Sequence, residues 1–144
     1  MKLFLDCEFD NFQGNLISMA LVSEDGKEFY EVVPYNKDVC HPWVVDNVLP
    51  ILNKDWVFYE DMQVNLRSFL HQWEHVEVIA DWPEDFVHFH NALLTGPGTM
   101  ININTKISTI FERRLDYTSV IPHNALEDAK AIKEAYLKKY TTIW

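Results

Sequence analysis

The most informative feature of the sequence is a pair of carboxylates within its first apolar segment. Residues 2–9 are mostly apolar and rich in strand-forming types, and Asp6 and Glu8 lie two positions apart among them. The pattern predicts a buried β-strand, on which both side chains point the same way with Cα atoms roughly 6.5–7 Å apart. Buried carboxylates this close repel each other and lose hydration unless a positive group lies between them. Because hard divalent cations such as Mg²⁺ and Mn²⁺ prefer oxygen ligands, the pair indicates a metal site.

Length and composition predict one domain that spans residues 1–144. The chain is 48% hydrophobic, which is enough for a core, and no apolar run approaches the ~20 residues of a membrane span. Asp6 and Glu8 interrupt the apolar start, so no signal peptide is expected, and the two cysteines form no disulfide framework. We therefore expect a cytoplasmic protein. The net charge of −10 argues against a general nucleic-acid coat protein, but not against an enzyme that meets phosphates through bound metal ions.

The order of predicted elements is βββαβαβα. After the first strand, further strands are predicted at residues 16–22, 28–33, 76–81 and 100–103. Asp25-Gly26 supplies a hairpin turn between the second and third strands. Helices are predicted to begin at an Asp61 cap, at Pro83 and at an Asn124 cap. This order indicates an α/β fold with a mixed sheet, in which helical crossovers add parallel strands to three antiparallel ones.

Chemistry-bearing side chains fall where predicted strands end and helices begin. Asp81 ends the fourth strand and Asp85 follows one helical turn later, while His123 and Asp128 flank the start of the last helix. Ligands of α/β sheets gather at the carboxyl ends of the strands, so we expect these groups to meet. The candidate site residues are Asp6, Glu8, Asp81, Asp85, His123 and Asp128.

Three of these patterns together resemble the motifs of the DEDDh 3′→5′ exonucleases. The first is Asp6-x-Glu8, the second is Asp85 ahead of an apolar helix, and the third is His123-x₄-Asp128. The element order resembles the ribonuclease H-like fold of that family, with helices on both faces of the sheet. The chain is most similar to the branch of small exoribonucleases that includes bacterial ribonuclease AS.

The resemblance implies a site, cofactors and a substrate. Asp6, Glu8, Asp85 and Asp128 would hold two Mg²⁺ or Mn²⁺ ions, and His123 would be the general base. The substrate would be the 3′ end of a single-stranded nucleic acid, RNA rather than DNA, and the protein would pair as a homodimer. Asp81 stands near a position where the family usually has Asn, so it remains an alternative to Asp85 as a metal ligand.

Three aromatic residues stand beside the predicted site. Phe9, Phe12 and Trp82 could stack on terminal bases of a substrate, or could simply pack at the core and rim. Cys7 lies between the two carboxylates on the opposite face of its strand, which predicts a core position.

Two other functions remain open from the sequence. One is a DNA 3′→5′ exonuclease of the proofreading type. The other is a catalytically silent ribonuclease H-like module that binds a partner or acts as an adaptor. A silent module would be expected to lack one of the carboxylates, and all of them are present here.

Overall fold

A five-stranded mixed sheet forms the centre of the molecule. The computed structural model describes residues 1–141, so residues 142–144 of the predicted domain lie outside the described part. The strands are β1 (Lys2–Phe9), β2 (Leu16–Ser23), β3 (Glu28–Val32), β4 (His75–Ala80), β5 (Leu94–Gly96), β6 (Thr99–Met100) and β7 (Lys106–Phe111). The α-helices are α1 (Pro42–Asn47), α2 (Tyr59–Leu70), α3 (Pro83–Leu93) and α4 (Ala125–Thr141), with a 3₁₀ helix at Leu49–Ile51.

The strand order of the sheet is β3-β2-β1-β4-β7. β1, β2 and β3 form an antiparallel meander, while β4 pairs parallel with β1 and β7 pairs parallel with β4. Gly26 has φ of 92° in the turn between β2 and β3, as the Asp-Gly signal predicts. The α/β fold class, with a mixed sheet of antiparallel and parallel strands, is therefore confirmed.

Helices cover both faces of the sheet. On one face, Leu3, Leu5 and Cys7 of β1 join a buried cluster with side chains of α2 and α3. On the other face, Phe4 packs edge-on against Tyr136 of α4, with ring centroids 5.4 Å apart. Alternate residues of β1 thus serve opposite layers, which confirms that Cys7 is a core residue. None of the helices within residues 1–141 is both long and apolar enough to cross a membrane.

Small residues bring α4 close to the sheet. Ala125 and Ala129 of α4 are buried against Ala20 and Val22 of β2. Because alanine carries only a methyl group, the helix axis can approach the strands closely. The beginning of α4 is consequently held beside β1, where the acidic pair lies.

The parallel pairing of β1 with β4 runs from Lys2–Glu77 to Phe4–Ile79 and stops short of Asp6. The end of β1 keeps its pairing with β2, where Asp6 faces Ala20 and Glu8 faces Ser18. The other edge of β1 is therefore not paired with β4 beyond Phe4, and the candidate site lies at this open edge.

Two predicted elements differ from the structure. The strand predicted at residues 100–103 is wrong: the fifth strand of the sheet is β7, and the preceding segment forms the separate β5–β6 hairpin. Asp61 is not the cap of α2, because the helix begins at Tyr59 after an extended Phe58, and Asp61 lies in its first turn. An acidic residue in the first turn is favourable through the helix dipole, so Asp61 marks the helix start without defining it.

Candidate active site

The six candidate residues meet at the carboxyl end of β1. Asp6, Asp81 and Asp85 form one group in which one carboxylate oxygen from each lies within 4.8 Å of the others. Glu8, His123 and Asp128 form a second group by the same measure. The structure therefore brings together every candidate acidic residue and the candidate histidine from three separate segments of the chain.

Asp85 is fixed to β1 by a main-chain hydrogen bond. The N–H of Cys7 donates to Oδ1 of Asp85 at 3.2 Å, at the edge of β1 that β4 no longer covers. A buried N–H without a strand partner needs another acceptor, and the carboxylate supplies one. Pro83 begins α3, so Asp85 falls in the first helical turn, where a carboxylate is favoured by the helix dipole.

The start of α4 places His123 and Asp128. Oδ1 of Asn124 accepts from the N–H of Glu127 at 3.1 Å, which confirms Asn124 as the cap. The reciprocal half of a capping box does not form, because the N–H of Asn124 donates to Ile121 and Oε1 of Glu127 accepts from Lys130. The N–H of His123 donates to Oδ2 of Asp128 at 3.1 Å, so the two residues form one local unit.

These side chains line a cavity of about 760 Å³. Its described lining contains neither lysine nor arginine. It comprises Asp6, Cys7, Glu8, Phe9, Asn11, Phe12, His41, Trp43, Val44, Val48, Asp81, Trp82, Glu84, Asp85, Tyr117, His123 and Asp128. Among the described residues, no permanently cationic side chain therefore lines this acidic cleft.

Burial and mutual repulsion raise the pKa values of the acidic groups in the cavity. Burial first, and then the charge of Asp85, raise the pKa of Asp6 well above its usual value. Burial together with the charge of Asp128 raises the pKa of Glu8 to about 8. Burial followed by the charge of Asp81 likewise raises the pKa of Asp85, and burial raises the pKa values of Asp81 and Asp128. The cluster therefore resists full ionisation in the absence of a compensating positive charge.

The acidic cluster fits a divalent cation. Oδ2 of Asp6, Oδ2 of Asp85 and Oδ1 of Asp128 are buried without a hydrogen-bond partner among the described residues. Unpaired buried carboxylate oxygens are costly, and coordination to a cation satisfies both their charge and their lone pairs. An oxygen-dominated set of this kind suits hard ions, and His123 adds one nitrogen at the edge of the second group.

The three candidate aromatic residues differ in how much of their ring surface is exposed. Phe9 is half-buried and lies against His88, with ring centroids 4.8 Å apart. Phe12 is 73% exposed and Trp82 is 56% exposed, and both face the cavity. Phe12 and Trp82 therefore have free ring surface for a ligand, whereas Phe9 shares its ring with the core.

Sequence analysis missed His41, Trp43 and Tyr117, which also line the cavity. His41 and Trp43 stand at the beginning of α1, whose six residues are too few to show a helical period. α1 reaches the cavity because Val44 and Val48 pack against Ile17 and Val32 of the sheet. The only sequence signal was the aromatic pair flanking Pro42, and nothing local connects that pair with the acidic residues.

Comparison with known proteins relates part of the chain to a nuclease. No known protein-family model matches the chain. Two curated proteins from two strains of Mycobacterium tuberculosis, each named 3′-5′ exoribonuclease, are 31% identical to it over 110 residues. The alignment covers 70% of this chain and 65% of each relative, so the chain spans a little under two thirds of the relatives it matches.

The acidic cluster predicts an unusual dependence of stability on pH. The pKa of Glu8 is raised from its ordinary value of 4.5 to about 8 in the folded protein. Protonated Glu8 therefore contributes its full stabilisation at pH values below 4.5, and this contribution disappears as the pH rises towards about 8. In EDTA we expect the melting temperature to fall between about pH 5 and pH 8.5. A loss of roughly 1 kcal/mol or more would lower it by about 2–5 °C.

Thermal unfolding with and without Mn²⁺ checks this expectation. Mn²⁺ should raise the melting temperature more at the alkaline end, because protons compete with the cation for the same oxygens. The Asp6→Asn variant should show a flatter profile in EDTA. A metal-free melting temperature that rises steadily across this range would contradict the electrostatic account.

Proposed function

We propose that this chain is a divalent-metal-dependent 3′→5′ exonuclease that hydrolyses phosphodiester bonds at the 3′ ends of single-stranded RNA. The observation that carries the proposal is the meeting of five carboxylates and one histidine in a cleft whose described lining has no lysine or arginine. The names of the two similar proteins support the polarity and the choice of RNA.

Each acidic residue has a role in this proposal. Asp6, Glu8, Asp85 and Asp128 would hold two divalent cations, Mg²⁺ or Mn²⁺, and Asp81 is the alternative ligand beside Asp6 and Asp85. When bound, such a pair of cations activates a water and stabilises the negative charge that develops on the phosphate. The Cys7 N–H keeps one oxygen of Asp85 engaged and leaves Oδ2 for coordination.

His123 would accept the proton of the attacking water. Its imidazole is exposed to the cleft and lies within 4.8 Å of ligand atoms of Glu8 and Asp128. Imidazole titrates near neutral pH, which suits a general base. The negative charges of the two neighbouring carboxylates would stabilise the imidazolium that forms.

Aromatic surface would hold the end of the substrate. Phe12 and Trp82 offer exposed rings at the rim of the cavity, and Phe9 completes this wall. Stacking on bases is tolerant of sequence and needs no cationic side chain. This suits a chain with a net charge of −10, because the described lining of the cleft has no lysine or arginine and the bound cations would supply positive charge there.

One degradation assay tests the proposal. RNA and DNA oligonucleotides of equal sequence, labelled at either end, are incubated with the protein in Mg²⁺, Mn²⁺ or EDTA. We expect stepwise shortening of RNA from the 3′ end, dependence on the cation, and slower cleavage of DNA. Preferential cleavage of DNA would favour a proofreading-type exonuclease. Tight RNA binding without cleavage under any metal condition would favour a silent binding module.

Removing Asp6 should abolish hydrolysis without unfolding the protein. We expect Asp6→Ala to lower the rate by roughly 10³-fold or more, because several kcal/mol of transition-state stabilisation depend on the bound cations. The melting temperature in EDTA should stay level or rise, since one repelling charge is gone. Asp116→Ala, at an exposed aspartate outside the cavity, is the matched control. Near wild-type turnover by Asp6→Ala would show that the acidic cleft is not the site.

Asp85 should matter more than Asp81. Asp85 is 2% exposed and carries an unpaired oxygen, whereas Asp81 is only half-buried. We expect Asp85→Asn to lower turnover by roughly 10²-fold or more and Asp81→Asn by less than about 10-fold. Steady-state rates in saturating Mn²⁺ provide the comparison. The reverse ranking would move the ligand role to Asp81.

Replacing His123 should slow the chemistry but spare metal binding. We expect His123→Ala to lower turnover by roughly 10²–10⁴-fold, the usual contribution of a general base. The wild-type rate should rise with pH and then level off, because only neutral imidazole accepts a proton.

Single-turnover rates from about pH 5.5 to 9 would reveal that limb in the wild type and its loss in the variant. Calorimetric titration with Mn²⁺ should give similar affinities for both proteins, because all the carboxylates remain. Identical pH profiles with little loss of rate would leave His123 as a capping-loop residue.

A further inference from the structure

Trp43 and His123 meet across the mouth of the cleft. Their ring centroids lie 4.9 Å apart and their planes are inclined by 82°, which is an edge-to-face arrangement. Trp43 belongs to α1, whereas His123 precedes α4, and both line the same cavity. The contact therefore joins two segments that are remote in the sequence.

The imidazole of His123 has little else to orient it. Its main-chain N–H is tied to Asp128, but the ring makes no hydrogen bond with any residue that the structure describes. The backbone of His123 has φ of 73°, outside the regular conformation of the adjoining helix. An exposed side chain of this kind can populate several rotamers, and the ring contact with Trp43 favours one of them.

Trp43 is itself held by the sheet. The main-chain N–H of Trp43 donates to Nδ1 of His41 at 3.1 Å, and its main-chain carbonyl accepts from Nδ2 of Asn47 at 2.9 Å. The next residue, Val44, is 3% exposed and packs with Ile17 and Val32. A chain of contacts thus runs from the sheet through α1 to the indole and from the indole to His123.

We propose that Trp43 is a positioning residue that keeps the imidazole of His123 directed at the acidic cluster. This inference rests on the proposed function, because Trp43 would affect the reaction only by orienting His123, the proposed general base. Edge-to-face contacts of this type bias a conformation by a factor of roughly 2–10. The effect on turnover should be of that size, and Trp43 need not touch the substrate.

The test compares kcat and KM for RNA in Mn²⁺ among variants of residue 43. We expect Trp43→Leu to lower kcat by roughly 2–10-fold with KM nearly unchanged, and Trp43→Phe to restore most of the rate because it keeps a ring. Trp56→Leu is the matched control, because Trp56 is also 48% exposed but does not line the cleft. A raised KM with unchanged kcat would show that Trp43 stacks on the substrate instead, and would overturn the inference.

A double variant separates positioning from general damage. In a His123→Ala background, Trp43→Leu should cause no further loss of kcat, because the group through which it acts is gone. The same loss in both backgrounds would overturn the inference.

NMR of the histidine rings supplies a readout that does not depend on activity. The His123 ring protons, assigned with His123→Gln, should lose their ring-current shift in Trp43→Leu but not in Trp56→Leu. Unchanged shifts would show that the contact does not exist in solution.

If the wild type fails to hydrolyse RNA, the proposed function is wrong and this inference is wrong with it. An active wild type with an unaffected Trp43→Leu overturns the inference alone.

Discussion

Buried carboxylates crowd together at the carboxyl end of β1. Asp6 is 7% exposed and Asp85 is 2% exposed, and each has one oxygen without a hydrogen-bond partner among the described residues. Such groups destabilise a fold unless a positive charge compensates them. Their raised pKa values express the same cost as a preference for the protonated state. Coordination of a cation removes the cost, so the arrangement makes physical sense as a metal centre.

The fold around this centre keeps the carboxylates together despite their repulsion. The early end of the β1–β4 pairing opens one edge of β1, and the Cys7 N–H at that edge binds Asp85. Alanines in α4 let the helix lie close to β2, which brings Asp128 to the other side of the pair. Apolar packing on both faces of the sheet thus supplies the free energy that holds an electrostatically unfavourable cluster in place.

Much of this architecture was predictable because the signals were local. The first four strands, the helix start at Pro83 and the cap at Asn124 follow from apolar runs, turn residues and capping signals in the sequence. The fifth strand was misplaced because Ile101 and Ile103 resemble a strand, whereas β7 is an edge strand whose residues are exposed or half-buried. Asp61 resembles a cap because it precedes the apolar stripe, but α2 begins two residues earlier, at Tyr59. His41 and Trp43 depend on the packing of α1 against the sheet, which no local pattern of six residues encodes.

The distribution of charge connects metal binding with substrate binding. The protein has a net charge of −10, and the described lining of the cleft adds no lysine or arginine to offset its carboxylates. A phosphodiester approaching this cleft without metal would be repelled by its carboxylates, and low ionic strength would strengthen that repulsion. Under the proposed function, the cations must therefore hold the substrate as well as assist its hydrolysis. The exposed rings of Phe12 and Trp82 then supply the part of the affinity that does not depend on charge. Under the proposed function, a strongly acidic chain could act on a nucleic acid in this way without lysine or arginine in the described lining of its cleft, because the bound cations would supply positive charge where the bond breaks.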